Sequence, residues 1–297
     1  MTQARRALAA ETVAILERGW YDHPSRGRVS IAKELAGAVA GTRLWGPDEP
    51  VGPPAVSPPA VSPVMSPAVA TSVEVVNETS LSAARRMAGA DGTGGTEGEG
   101  WGDGAVGCLN FASAKNPGGG FLRGTQAQEE SLAYASGLYR CLLEAPDFYA
   151  FHRKRGDPLY SDRAIFSPAV PVFRDDRAAL LARPYPVSFL TVAAPNARAM
   201  DENDERRARL PEVLFERSGR ALSLFAASGL RRLVLGAWGC GVFRNSPTLV
   251  AACFATHLGP SGAFHGRFER VVFAVLDDAP GTPVHDAFAR AFTGEPG

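Results

Sequence analysis

The chain has 297 residues, which is long enough for one large domain or two small ones with a substantial buried core. Its 31 Lys and Arg residues equal its 31 Asp and Glu residues, so no overall field draws it to nucleic acid or to a membrane. Four scattered cysteines without a CxxC pair, and only five histidines, exclude a disulfide framework and a zinc site and favour a reducing cytoplasm. The N-terminus lacks the apolar core of a signal peptide, and no stretch reaches the length of a membrane span.

The first 70 residues predict two short helices and a proline-rich arm. Apolar residues recur at helical intervals over residues 4–18, and "SIAKELAGAVAG" at residues 30–41 indicates a second helix. "GPPAVSPPAVSPVMSPAV" at residues 52–69 repeats a PPAVSP unit that sustains neither helix nor sheet, which predicts an extended linker or wrapping arm. A second low-complexity run, "GADGTGGTEGEGWGDG" at residues 89–104, predicts a mobile loop.

The rest of the chain alternates buried strands with helices. Apolar runs rich in β-branched residues predict strands buried on both faces, at residues 73–76, 106–113, 187–194, 232–238 and 270–276. Helical patterns occupy residues 78–88, 127–145, 203–228, 246–258 and 283–293. This alternation predicts a layered α/β domain, in which ligands usually bind at the carboxyl ends of the strands.

Two glycine-rich loops follow predicted strands. "NPGGGFLRGTQAQEESL" at residues 116–132 places three glycines seven residues before the triplet Gln128, Glu129 and Glu130. "GCGVFRNSP" at residues 239–247 is a second glycine-rich turn that leads into a helix. One such loop is equally well explained as a surface turn before a helix whose first acids suit its dipole. Two at one sheet edge can offer convergent backbone N–H groups to phosphate.

The GGG-x7-QEE pattern, together with "LGAWGCGVFRNSP", resembles the signature of poly(ADP-ribose) glycohydrolases of the short bacterial, microbial-type branch. The resemblance runs from about Val73 to the last strand. It implies a macrodomain-like three-layer α/β/α fold with a mixed central sheet, which binds ADP-ribose, plus an N-terminal helical extension. We therefore expect an extension and arm over residues 1–70 and a catalytic domain over residues 71–297. The insert at residues 89–104 and the PPAVSP repeat are longer than this family needs.

The resemblance implies that Glu130 is the catalytic acid and that Glu129 binds ribose hydroxyls. Cleavage of a ribose–ribose bond needs a proton on the leaving oxygen, and burial or nearby negative charge can keep a carboxyl protonated for this purpose. Adjacent helical residues point about 100° apart, so the two carboxyls cannot perform the same task. Asn116 is either a ribose ligand or a turn residue before Pro117. The other residues of this loop expected to bind substrate are Gly118, Gly119, Gly120 and Gln128.

In the second loop, the resemblance implies that backbone N–H groups hold the diphosphate, from Gly239, Cys240, Gly241 and Val242. Phe243 either packs along the proximal ribose and adenine or is a core aromatic. Pro195 and Asn196 are expected to line the adenine side. Cys240 has no identifiable base partner, so we do not expect it to act as a nucleophile.

The function implied is hydrolysis of poly(ADP-ribose), mainly from chain ends, by a cytoplasmic bacterial monomer that needs no metal or other cofactor. The expected partners are the polymer or ADP-ribosylated proteins and the product ADP-ribose, with no DNA, RNA or membrane. Two alternatives stay open: an ADP-ribose reader, which would not need the intact QEE triplet, and a hydrolase of single ADP-ribose units on proteins. The N-terminal extension is expected to close the far side of the adenosine pocket.

Overall fold

The computed structural model describes residues 2–51, 71–90 and 105–293. The strands are β1 (Trp20–His23), β2 (Gly27–Ser30), β3 (Arg43–Trp45), β4 (Ser72–Val76), β5 (Val106–Phe111), β6 (Ala164–Arg174), β7 (Leu180–Val192), β8 (Arg232–Leu235) and β9 (Arg270–Ala274). The α-helices are α1 (Thr2–Arg18), α2 (Ala32–Gly41), α3 (Ser80–Met87), α4 (Gln128–Ala135), α5 (Leu138–Leu142), α6 (Pro146–Arg155), α7 (Leu210–Ala227), α8 (Pro247–Leu258) and α9 (Pro283–Thr293).

Seven strands form one mixed sheet in the order β3-β6-β7-β5-β8-β9-β4. The five strands from β7 to β4 are parallel, whereas β6 runs antiparallel to both of its neighbours. The carboxyl ends of the five parallel strands therefore meet at one edge, as the sequence analysis expected for a ligand site. β1 and β2 form a separate antiparallel hairpin.

Helices cover both faces of this sheet, which confirms the expected three-layer α/β/α arrangement. Neighbouring residues of one strand enter opposite cores: Cys108 packs with α3 to α6, and Leu109 packs with α7 and α8. Because side chains alternate across a strand, a strand buried on both faces is mostly apolar, and this explains the apolar runs in the sequence. Trp238 is 1% exposed and donates from Nε1 to the carbonyl of Val192, so it belongs to the core.

The predicted helix over residues 127–145 is two helices separated at Ser136. Ser136 is extended and forms a β-bridge with Val172, and Gly137 donates its N–H to the carbonyl of Pro171. The Ser136 hydroxyl donates to the carbonyl of Leu132 at 2.7 Å, which satisfies a helical carbonyl where the helix stops. Tertiary pairing with β6 therefore overrides a continuous helical pattern.

The sequence analysis did not predict β6, the hairpin, β3 or α6. β6 contains Pro168 and Pro171, which cannot donate to a ladder and argue against an internal strand. Pro168 lies within a register shift between Ser167 and Val170, where Ala169 adopts a positive φ of 45°, whereas Pro171 lies opposite Pro186 of β7.

The described part of the N-terminal extension packs tightly on the rest of the chain. β3 pairs with β6 in the main sheet, and Tyr21 donates its hydroxyl to the carbonyl of Leu181 at 2.5 Å. α1 contributes Ala9 to an apolar cluster with Phe121 and Tyr134. The division of the chain at residue 70 stays a prediction. The proline-rich repeat and residues 91–104 of the glycine-rich run lie outside the described residues.

The cysteines and helices add two findings. All four cysteines are free thiols, and three of them are buried. Among the described helices, none combines the length and the apolar character that a membrane crossing requires.

Candidate active site

A cleft of about 650 Å³ opens at the carboxyl edge of the parallel strands. Segments that follow four strands line it: Ser80 after β4, Ser113 after β5, Gly239 after β8 and Val275 after β9. Its size is that of a small-molecule site. Both glycine-rich loops and the carboxylate pair meet in this one cleft.

The triple-glycine loop bends closely beneath the two carboxyl groups. Gly118 and Gly119 have φ values of +64° and +61°, a left-handed region that glycine enters at little cost. A Cβ on Gly119 would lie 2.5 Å from Oε1 of Glu130 and 3.1 Å from Oε2 of Glu129. Both carboxyls therefore face the backbone of Gly119, and any side chain there would displace them.

Glu129 is buried with both carboxyl oxygens engaged. Oε2 accepts the N–H of Ser113 at 2.7 Å, and Oε1 accepts Nδ2 of Asn110 at 3.3 Å. Burial raises the pKa of Glu129 to about 8, although the donors Ser113 and Asn110 oppose the rise, and the negative charge of Glu130 adds to it. The site therefore favours the protonated form of Glu129, the carboxyl expected to bind ribose.

Glu130 lies in the same first turn of α4 with a different arrangement of donors. Oε1 accepts both the N–H of Gly120 at 2.8 Å and the hydroxyl of Thr125 at 2.9 Å. Within the described ranges, Oε2 makes no hydrogen bond to the protein. Glu130 lines the cleft with only 8% of its surface exposed, so this free oxygen faces the ligand space.

Gln128 fastens the start of α4 to the end of β5. Its Oε1 accepts the N–H of Phe111 at 2.9 Å, and its Nε2 donates to the carbonyl of Leu109 at 2.8 Å and to the hydroxyl of Ser80 at 3.2 Å. α4 begins without a capping side chain, so these bonds hold its first turn. Gln128 therefore positions the carboxyl pair that follows it, and it also lines the cleft.

The second glycine-rich loop forms the opposite wall. Gly239 has a φ of +75°, and a Cβ there would lie 2.4 Å from Cβ of Ala194. In the part of the chain that the structure describes, the amides of Gly241, Val242 and Phe243 donate to no protein acceptor. Three adjacent free N–H groups at a cleft wall suit an anion such as phosphate.

A family model described as "Microbial-type PARG, catalytic domain" matches residues 9–175, more than half of the chain. This chain belongs to the microbial-type PARG family. The match begins within the segment assigned above to the extension, and it ends before the second glycine-rich loop. Among curated proteins, none matches the chain significantly.

Solved structures extend the similarity over almost the entire chain. The poly(ADP-ribose) glycohydrolase of Thermomonospora curvata is 51% identical with a TM-score of 0.85, covering 98% of this chain and 100% of that one. The same enzyme bound to the inhibitor ADP-HPD is 50% identical with a TM-score of 0.84 and the same coverage. The Deinococcus radiodurans enzyme in complex with ADP-ribose is 39% identical with a TM-score of 0.72, covering 88% of this chain and 97% of that one.

Within this PARG cleft, most of the sequence-derived site residues come together. Asn116, Gly119, Gly120 and Gln128 lie on one wall, and Gly239 to Phe243 lie on the other. Gly118 is buried behind them, where a Cβ would lie 3.2 Å from Cδ2 of Tyr139. Phe243 lines the cleft, packs on the core and lies 5.9 Å from the ring of Tyr160, and its packing along the proximal ribose and adenine stays a prediction.

Pro195 and Asn196 are not among the residues that line this cleft. The carbonyl of Pro195 accepts Nδ2 of Asn245 at 2.8 Å, and Asn245 also holds the carbonyl of Gly239 at 3.0 Å. Pro195 therefore supports the second loop, and the expectation that the two residues line the adenine side stays a prediction. Burial raises the pKa of Cys240 to about 12, so its thiol stays protonated, in agreement with the expectation that it is not a nucleophile.

The sequence analysis missed cleft residues that follow β4 and β9. Thr79 donates its hydroxyl to Oδ1 of Asp176 at 2.7 Å, and Leu276 is 57% exposed at the cleft. "NETS" and "LDDAP" follow predicted strands just as the glycine loops do, so the strand-end rule would have found them. Thr125 and Arg123 carry no such signal. No cluster of three or more His, Cys, Asp or Glu residues that could hold a metal ion occurs among the residues described.

Proposed function

We propose that this protein is a poly(ADP-ribose) glycohydrolase that hydrolyses ribose–ribose O-glycosidic bonds and releases ADP-ribose. The relatives that carry this name, one bound to ADP-HPD and one to ADP-ribose, are similar over most of their length. The observation that carries the proposal is the carboxyl pair over Gly119, with one oxygen of Glu130 free toward the cleft.

Glu130 is the general acid in this proposal. Its Oε1 already accepts two hydrogen bonds, so a transferable proton belongs on Oε2, the oxygen that faces the ligand. That proton passes to the leaving ribose oxygen as the bond between this oxygen and the anomeric carbon breaks. The anomeric carbon becomes oxocarbenium-like and is attacked by water, which returns its proton to the Glu130 carboxylate.

Glu129 orients the distal ribose in the same scheme. Its raised pKa keeps it neutral near pH 7, so it does not add a second full charge beside a substrate diphosphate. A neutral carboxyl can donate to one ribose hydroxyl and accept from another. In this scheme the free amides of Gly241, Val242 and Phe243 hold the diphosphate on the opposite wall.

We extend the proposal to a cytoplasmic bacterial monomer that works mainly from chain ends and without metal. Both relatives named above come from bacteria, and the acid–base chemistry needs no Lewis acid. The alternative of an ADP-ribose reader is disfavoured by Glu130, because a binding module has no use for a buried carboxyl with a free oxygen in its ligand site. The second alternative, hydrolysis of single ADP-ribose units on proteins, would also use Glu130 as the acid, but its leaving group would be a protein side chain instead of a ribose.

The proposal is tested with Glu130→Gln, an amide that keeps the shape and cannot donate the proton. We expect polymer hydrolysis to fall by a factor on the order of 10²–10⁴ while affinity for ADP-ribose stays within a few-fold. Glu212→Gln, at an exposed acid in the first turn of α7, is the matched control. Labelled polymer is incubated with each protein and the products are resolved by size, where early single ADP-ribose indicates attack from chain ends. Activity near that of the wild type in Glu130→Gln would end this assignment.

A further inference from the structure

A group of arginines lies beside the Glu130 end of the cleft without acidic partners. Arg123 ends the short 3-10 turn Phe121–Arg123 that follows the triple glycine, and it lines the cleft next to Gln126 and Glu130. Its carbonyl accepts Nε of Arg6 at 3.1 Å, and Arg5 donates to Gln126. α1 thus brings two further guanidinium groups to the same rim.

This rim is a local excess of positive charge within an electrically neutral chain. Other described arginines do have an acidic partner, for example Arg231 with Glu269 at 2.7 Å. Among the described residues, no carboxylate lies within ion-pair distance of the guanidinium groups of Arg5, Arg6 or Arg123. Three unpaired positive charges repel one another, and an anionic ligand would relieve that repulsion.

The position of Glu130 shows what such an anion could be, if the proposed function holds. The distal ADP-ribose unit occupies the cleft between the two glycine loops, and the scissile oxygen lies at Oε2 of Glu130. The leaving oxygen belongs to the ribose of the next unit, which carries its own diphosphate. Thr125 binds Glu130 directly, and Arg123, two residues earlier in the chain, lines the same cleft, so a diphosphate leaving past Glu130 meets the arginine rim.

We propose that Arg123, supported by Arg5 and Arg6, forms a subsite for the diphosphate of the leaving ADP-ribose unit. The inference rests on the proposed function and deepens it, because it makes a polymer the preferred substrate over a unit joined to an uncharged group. A planar guanidinium donates two parallel hydrogen bonds to a phosphate, which suits arginine to this task. The α1 helix then takes part in substrate choice at the leaving-group side.

The test compares Arg123→Gln and Arg123→Lys on two substrates. One is labelled poly(ADP-ribose), and the other is ADP-ribose that carries a neutral aryl leaving group on its distal ribose. We expect Arg123→Gln to lower kcat/KM on the polymer by about five- to tenfold, the scale of one exposed charged hydrogen bond. Arg123→Lys should lose less, and neither variant should change turnover of the aryl substrate. Arg267→Gln, just before β9 at the opposite edge of the sheet, is the control and should change neither.

Equilibrium binding separates this inference from the proposed function. Arg123→Gln should weaken binding of the polymer, and reduce its salt dependence by roughly one phosphate contact, while binding of free ADP-ribose is unchanged. If Arg123→Gln weakens polymer binding in this way but the wild type hydrolyses no polymer, the subsite assignment stands and the proposed function is wrong. Equal losses on both substrates, or an unchanged polymer affinity, would overturn the subsite.

Discussion

Replacing Glu129 by glutamine should remove a pH-dependent loss of stability from the folded protein. The Glu129 carboxyl is 3% exposed, and burial raises its pKa from an ordinary value of 4.5 to about 8. Glutamine has nearly the same shape and no charge to bury. Its oxygen can still accept the N–H of Ser113. Its NH2 group takes the place of Oε1, which faces Nδ2 of Asn110, so the Asn110 amide has to turn over and present Oδ1, an atom without a partner among the described residues.

The sign follows from which state binds the proton. Above pH 4.5 the unfolded chain loses the Glu129 proton, whereas the folded protein keeps it up to about pH 8. The folded state therefore binds more protons in this window, and the free energy of unfolding falls as pH rises. Each unit of difference in pKa corresponds to about 1.36 kcal/mol, so the full effect is about 5 kcal/mol. About 4 kcal/mol of it develops between pH 5 and pH 8.5.

Urea denaturation of both proteins at a series of pH values measures this directly. The difference in the free energy of unfolding, Glu129→Gln minus wild type, should grow by about 4 kcal/mol from pH 5 to pH 8.5. In thermal melts the same change corresponds to about 6 °C for a chain of this length. Glu212→Gln, at an exposed acid, should leave the shape of the curve unchanged over this range.

Parallel stability curves for wild type and Glu129→Gln would refute the reasoning. They would mean that the folded protein carries an ionised Glu129 over the whole range, held by Ser113 and Asn110 against the effect of burial. The neutral carboxyl proposed to bind the distal ribose would then be wrong as well.

Two further perturbations follow from the structure. Burial lowers the pKa of His152 to about 4, so only the unfolded chain takes up this proton as the pH falls below 6.5. The free energy of unfolding of the wild type should therefore fall by up to about 3 kcal/mol between pH 6.5 and pH 4. In urea denaturation, His152→Gln should lack that loss while its side chain keeps a contact with Ser161. If both proteins lose stability equally, His152 is not the cause. Gly119→Ala should abolish polymer hydrolysis, because its Cβ would lie 2.5 Å from Oε1 of Glu130 and its φ of +61° disfavours alanine. The control Gly37→Ala, in α2 with open space around it, should retain full activity. Normal turnover by Gly119→Ala would show that the carboxyl pair does not depend on this close approach.

The sequence predicted the parallel core of the sheet better than its antiparallel side. An internal strand such as β5 is largely apolar on both faces, so its sequence is a nearly continuous apolar run that can be recognised without the structure. β6 lacks that signal, because Pro168 and Pro171 interrupt it and only register shifts against β7 make it a strand. The break at Ser136 was invisible for a related reason, since a partner distant in sequence decides it.

The candidate site was predictable where reactive side chains stand close in sequence to glycines that allow an unusual backbone conformation. Glycines before a carboxyl pair mark a close approach, and the structure shows that approach at Gly119. Thr125 and Arg123 were not predictable, because a hydroxyl and a guanidinium in a loop are common and gain meaning only from their distance to Glu130. Pro195 shows that a residue after a strand can also support a neighbouring loop, a role that its sequence position does not reveal.

The carboxyl pair also shows how the fold keeps a buried charge site in place. Two adjacent acids at an uncapped helix start would ordinarily turn toward solvent, since burial of Glu129 opposes folding. Gln128 prevents this by tying the first turn of α4 to β5, and the N–H groups of Ser113 and Gly120 satisfy one oxygen on each carboxyl. Because α4 follows the triple-glycine loop within seven residues, neither can move without the other. The destabilisation expected from Glu129 is therefore a consequence of holding Glu130 with one oxygen free for a proton, and it should disappear only in variants that also alter catalysis.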